Sequence, residues 1–124
     1  MLKRTAFVAL VGVGLLAQGI SGHASNLERD TTFIRFSSPV ALPGVTLRAG
    51  SYVFEVANPH TSKDVVVVRN RERTKVYFLG YSQLIEPLQG HQEVVTLSEP
   101  SRGEAPRVLA WYPEGAVGHR FVYP

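Results

Sequence analysis

The chain has 124 residues, no cysteine, a single tryptophan and a formal net charge of +3. The missing cysteines exclude disulfide stapling, thiol chemistry and a lipid anchor attached to a processed cysteine, so any fold must rest on its apolar core. The length suits one domain with a modest core.

The first residues carry a processing pattern. Lys3 and Arg4 form a short basic leader, and Ala6 to Ala17 is uncharged and interrupted only by Gly12 and Gly14. Gln18 to Ala24 then turns polar, with the small residues Gly22 and Ala24 spaced as a signal peptidase requires. This predicts a signal peptide over residues 1–24, cleaved between Ala24 and Ser25. A membrane span needs ~20 apolar residues, and this run has twelve. The expected location is the periplasm or the exterior, with membrane contact only transient, through the leader. Loss of Lys3 and Arg4 reduces 13 basic residues to 11, against 10 acidic, for a net of +1. Such a balance makes no case for nucleic acid as a partner.

Residues 25–30 read as a flexible polar tail, and residues 31–124 as one all-β domain. Short apolar runs alternate there with Pro, Gly, Asn and Ser clusters every eight to twelve residues, the rhythm of a β-sandwich or small barrel. About seven to nine short, mostly antiparallel strands are expected. In Thr32 to Phe36, Ile34 and Phe36 share one face and Phe33 and Arg35 the other. A short piece around Val40 leads into Leu42-Pro43-Gly44, where proline and glycine suit the two corners of a type II turn. Val45 to Leu47 follows, and Ser51 to Val56 alternates cleanly, with Tyr52, Phe54 and Val56 on one side. Val65 to Val68 shows no alternation and reads as a central strand covered on both faces.

Asn70 to Arg73 reads as a hairpin tip leading into Lys75 to Tyr81, where Val76 and Phe78 oppose Tyr77, Leu79 and Tyr81. Leu84 to Gly90 has room for one helical turn. Gln92 to Leu97, Arg107 to Tyr112 and His119 to Tyr123 complete the strands. In Arg107 to Tyr112, Leu109 and Trp111 share a face opposite Val108, Ala110 and Tyr112, which makes Trp111 a core anchor of an interior strand. The Val40 and Arg120–Tyr123 runs are expected at sheet edges, where self-association by strand pairing becomes available.

Leu47-Arg48-Ala49-Gly50-Ser51-Tyr52-Val53-Phe54 forms an L-x-A-G-x-Y-x-F element. With Asn70 to Tyr77 and the Ala110 to Phe121 region, it resembles a group of uncharacterised small exported β-sandwich-like proteins, chiefly of soil bacteria. The resemblance implies a β-sandwich-like fold and export; it implies no activity and no site residues.

Chemistry is sparse. His60, His91 and His119 are not at metal-ligand spacing, so no metal or cofactor is expected. No G-x-S-x-G elbow occurs, and after processing the only aspartates are Asp30 and Asp64. Glu99 and Glu104 lie close together in a Pro/Gly loop that reads as solvated. No catalytic residue is therefore assigned. The expected function is an exported, non-catalytic structural or binding module that contacts a protein or envelope glycan through its surface. Arg71, Arg73 and Tyr112 are the expected contact residues: the arginines belong to the basic run Arg69, Arg71, Arg73 and Lys75, and tyrosine is a frequent interface residue. The alternatives are a small hydrolase or isomerase with a loop-built site around His119 or His91 and a carboxylate, and a binder of a small apolar ligand in an internal cavity.

Overall fold

The computed structural model describes residues 30–86, 93–113 and 117–124. The segment read as a signal peptide, the Ala24–Ser25 junction, the tail before Asp30 and His91 lie outside the described residues. Within them the chain is all-β, without an α-helix. The strands are β1 (Thr31–Phe36), β2 (Val40–Leu42), β3 (Val45–Leu47), β4 (Gly50–Asn58), β5 (Ser62–Asn70), β6 (Val76–Ile85), β7 (Val95–Leu97), β8 (Val108–Trp111) and β9 (Gly118–Phe121). Seven form one sheet in the order β1-β4-β5-β6-β9-β8-β7, with every strand pair antiparallel, and β2 and β3 form a separate hairpin.

The large sheet curls so that β8 comes back against β1. Trp111 in β8 donates its indole N–H to Thr32 Oγ1 in β1 at 3.0 Å, across 79 residues of sequence. The β2–β3 hairpin closes over the seam, with the Ala41 N–H bonded to the Pro106 carbonyl at 2.8 Å. Tyr123 latches the same place: its hydroxyl donates to the Val108 carbonyl at 2.6 Å, with the Ala41 carbonyl 3.1 Å away. The β2–β3 turn is built as its sequence demands, Gly44 taking φ 80° at the second corner.

The interior is aromatic. Phe54 lies 5.7 Å from Trp111 and 6.4 Å from Phe121, ring centre to ring centre, and Phe78 meets Phe121 edge-on at 5.6 Å. Sealing each such ring from water stabilises the fold by roughly 1.5–3 kcal/mol. The L-x-A-G-x-Y-x-F element has a local logic: Leu47, Tyr52 and Phe54 are all buried, and the Tyr52 hydroxyl reaches back to the Arg48 carbonyl at 2.7 Å. That bond ties down the corner between β3 and β4.

Most strand positions follow the alternation, and the departures have identifiable causes. Phe78 pairs with Val68 and Val76 with Arg69, so Tyr77 is an extra residue in a β-bulge. The bulge inverts the face pattern locally: Val76 is exposed, whereas Tyr77 packs on the core, edge-on to Tyr52 at 5.3 Å. A second bulge at Leu109 turns Val108 and Trp111 toward the core together, although simple alternation opposes them. Leu84 and Ile85 extend β6 instead of starting a helical turn, because both pair with β9.

The expected edges are also revised. β9 is paired on both sides, with β6 and with β8, and β2 is held between β3 and the Arg107 bridge. The edges of the large sheet are β1 and β7.

Candidate functional site

Two places hold functional-looking side chains: a buried serine–histidine pair and the outward face of the sheet. His119 is 1 % exposed and stacks on Trp111, with ring centres 4.9 Å apart and planes inclined by 23°. Its Nδ1 lies 3.1 Å from Ser82 Oγ, and Ser82 donates its one hydroxyl proton to the Asp64 carbonyl at 3.0 Å. With the hydroxyl proton directed at Asp64, the tautomer that completes the Ser82 contact is the one protonated on Nδ1, with a lone pair on Nε2. Nε2 is buried and has no hydrogen-bond partner among the described residues. Burial pushes the imidazole pKa down, opposed by the charges of Asp30 and Asp64.

This arrangement is the reverse of an activated nucleophile, in which the serine hydroxyl would donate to the imidazole. The proton chain runs from histidine to serine to a backbone carbonyl, so the pair cross-links β9, β6 and β5 instead of generating an alkoxide. Among the described residues no three His, Asp or Glu side chains converge as a metal site needs.

The outward face begins at the β5–β6 hairpin tip. Asn70 organises the tip: its Oδ1 accepts from the N–H groups of Thr74 and Lys75 at 2.8 and 2.9 Å, and its Nδ2 donates to Thr74 Oγ1. Arg73 N–H closes a turn onto the Asn70 carbonyl, and Arg73 takes the left-handed φ of 62°. That conformation throws its guanidinium back across the sheet. There Nε and Nη2 both bond Glu55 Oε2, at 3.0 and 2.7 Å, and the cation sits 5.5 Å from the Phe33 ring centre. Arg69 adds a second contact to Glu55 at 3.5 Å. Val53 and Val67 point outward by alternation yet are buried, sheltered by this cluster and by their cross-strand neighbours Phe33 and Leu79.

The expected contact residues fare differently. Arg73 is committed to Glu55, whereas Arg71 is exposed at the tip with no ion-pair partner among the described residues. Tyr112 is half-buried, its N–H bonded to the Val94 carbonyl, and its ring covers Gly118 beside Ile85. A Cβ at Gly118 would come within 2.7 Å of that ring, so the missing side chain is what lets the tyrosine lie down. Because Gly118 pairs with Ile85 at the far end of β6, Tyr112 and the arginine tip share the outward face but stand roughly 30 Å apart, nine strand steps of about 3.3 Å.

Between them runs a feature that sequence reading missed. Along the outward side of β6, Val76, Leu79 and Tyr81 are exposed, Tyr81 by 73 %. Val122, beyond the end of β9, is exposed as well. Gln83 follows along β6 and stands opposite the exposed Arg120 of β9. Leu79 and Tyr81 do alternate with inward residues in the sequence, but only the register shows that this side faces solvent.

Charge is segregated over the same surface. The outward face and its tip carry Arg35, Lys63, Arg69, Arg71, Arg73 and Arg120 against Glu55 and Glu72, whereas Lys75 turns to the other side, 5.0 Å from the Tyr77 ring centre. The remaining described residues reverse the balance: Arg48, Lys75, Arg102 and Arg107 stand against Asp30, Asp64, Glu86, Glu93, Glu99 and Glu104. The charges are thus unevenly divided between the two sides, with Arg69 and Arg73 of the outward face paired to Glu55.

No family model, no curated protein and no solved structure matches this chain.

Proposed function

We propose that this is an exported, non-catalytic binding module that contacts a protein or envelope glycan through the outward face of β5, β6 and β9. The observation that carries this reading is the exposed stripe Val76, Leu79, Tyr81 and Val122, set in a field of basic side chains. Apolar groups left in water on a sheet whose interior is already filled mark a contact surface rather than a packing element. Charged residues at such a rim steer the approach of a complementary partner. The proposal of export rests on Lys3, Arg4, the Ala6–Ala17 run and the Gly22-x-Ala24 spacing.

The test has two parts. Expression of the full chain in a bacterial host, followed by mass measurement of the protein released from the envelope, is expected to give an N-terminus at Ser25; retention of residues 1–24 would refute export by cleavage. Cross-linking in the envelope is then compared for the wild type and a Leu79→Ser, Tyr81→Ser double variant. Loss of the cross-linked species in the variant supports contact through this face, and an unchanged pattern overturns it.

A further inference from the structure

We infer that the partner of this face is an acidic polysaccharide, bound with its sugar rings on Tyr81 and its carboxylates or sulfates on the surrounding basic side chains. This deepens the contact-surface reading and rests on it. Three observations select the partner class. The first is charge: the outward face is predominantly cationic while the rest of the described surface is predominantly anionic, so complementarity calls for an anion. It also opposes a second copy of the chain docking face to face, since like charges would meet.

The second observation is that β6 is hydrogen-bonded along both edges, to β5 and to β9. An extended peptide cannot add to it as a strand, because the backbone groups that such recognition uses are already paired. Recognition must be made by side chains alone. The third is the chemistry of those side chains. Tyr81 is the most exposed of the large apolar residues among those described, at 73 %, and the register places Gln83 and, opposite it, Arg120 on its face. Arginine supplies only donors, and the glutamine amide supplies both a donor and an acceptor. An exposed aromatic ring beside apolar neighbours, with N–H donors further along the same face, suits a pyranose that is apolar on its face and bears hydroxyl and anionic groups on its rim. From Val76 to Tyr81 the stripe runs along β6 for about 17 Å at about 3.3 Å per residue, an elongated shape suited to a linear polymer.

The experiment titrates the purified protein with two matched pairs of polymers: polygalacturonate against its methyl ester, and dextran sulfate against dextran. Polyglutamate serves as an anionic chain without sugar rings. Binding is read by calorimetry at low and at moderate salt. At least one anionic glycan is expected to bind, with at least tenfold weakening on removal of its charge, on Tyr81→Ala and on Arg120→Gln, and with polyglutamate at least tenfold weaker. Unchanged urea midpoints for the two variants show that the fold is retained. Binding to polyglutamate equal to that of the glycan, or indifference to Tyr81→Ala, would overturn the glycan assignment in favour of bare charge attraction. Failure of every polymer, with the cross-linking pattern still sensitive to Leu79 and Tyr81, removes the glycan and leaves the contact surface standing. Failure of both experiments removes both.

Discussion

Replacement of Tyr123 by phenylalanine tests how the curled sheet is held shut. The hydroxyl donates to the Val108 carbonyl at 2.6 Å and lies 3.1 Å from the Ala41 carbonyl, so one side chain joins the β2–β3 hairpin to β8. The lost hydrogen bond is worth about 0.5–1.5 kcal/mol, and a carbonyl left partly desolvated adds up to about 1. A loss of about 1–2 kcal/mol at pH 7 is expected, or roughly 4–8 °C in Tm per kcal/mol for a domain of this size. The substitution also has an alkaline signature. Burial pushes the Tyr123 phenol up to about 12 from its ordinary 10, with Arg107 opposing. A raised folded pKa means that the contribution is complete below pH 10 and is lost as pH rises from 10 toward 12. A fully sealed phenol would account for about 2.7 kcal/mol over that interval, and the partial exposure of Tyr123 reduces this to about 1–1.5. Urea denaturation followed by the fluorescence of Trp111, the only tryptophan, measures both effects. The Tyr123→Phe protein is expected to start lower at pH 7 and to fall less steeply above pH 10, with Tyr52, also raised chiefly by burial, supplying part of the remaining slope. Equal stability at pH 7, together with an unchanged alkaline slope, would refute the latch.

Acid should act through His119. Its folded pKa is depressed by burial, so the stability that it contributes is present above its unfolded value, near 6.5, and is lost as pH falls below it; His119→Phe should flatten that limb of a denaturation series between pH 7 and 5. Trp111→Phe removes both the Thr32 bond and part of the stack with His119, and is expected to cost about 2–4 kcal/mol in urea unfolding followed by circular dichroism. Gly118→Ala must displace the Tyr112 ring or Ile85, a loss of about 1–3 kcal/mol that a second change, Tyr112→Ser, should partly restore. At the tip, Arg73→Gly relieves a left-handed backbone worth about 1–2 kcal/mol while giving up an exposed ion pair worth at most about 1. Thermal melts should therefore show it no less stable than wild type, with Arg73→Val clearly worse.

Much of this architecture was legible wherever one face of a strand is buried and the other is wet. Ile34 and Phe36 against Phe33 and Arg35, and Tyr52, Phe54 and Val56 in β4, declare their sides by composition alone. The Pro43-Gly44 corner is equally plain, since few other residues suit its backbone. The bulges at Tyr77 and Leu109 were not legible, because a single unpaired residue inverts the phase of everything beside it while leaving the local composition unchanged. The order of strands was hidden for a related reason: nothing in Gly118 to Phe121 says that both of its edges are taken. The functional surface suffered most. Arg73 reads as a free cation until Glu55, 18 residues away, is brought beneath it, and the clustering of basic groups on one face depends on pairings that periodicity does not encode.

The position of β9 constrains how the molecule can form. The last of the described strands is inserted between β6 and β8. A chain emerging from its N-terminus can pair β1, β4, β5 and β6 early, but the sheet stays in two separate parts until residues 118–121 arrive. Only then do His119 meet Ser82 and Phe121 meet Phe54, and Tyr123 reaches its carbonyls two residues later. The sheet's closure is thereby tied to residues 118–121, and a nascent chain stays open, and able to be threaded, until they are free to pair.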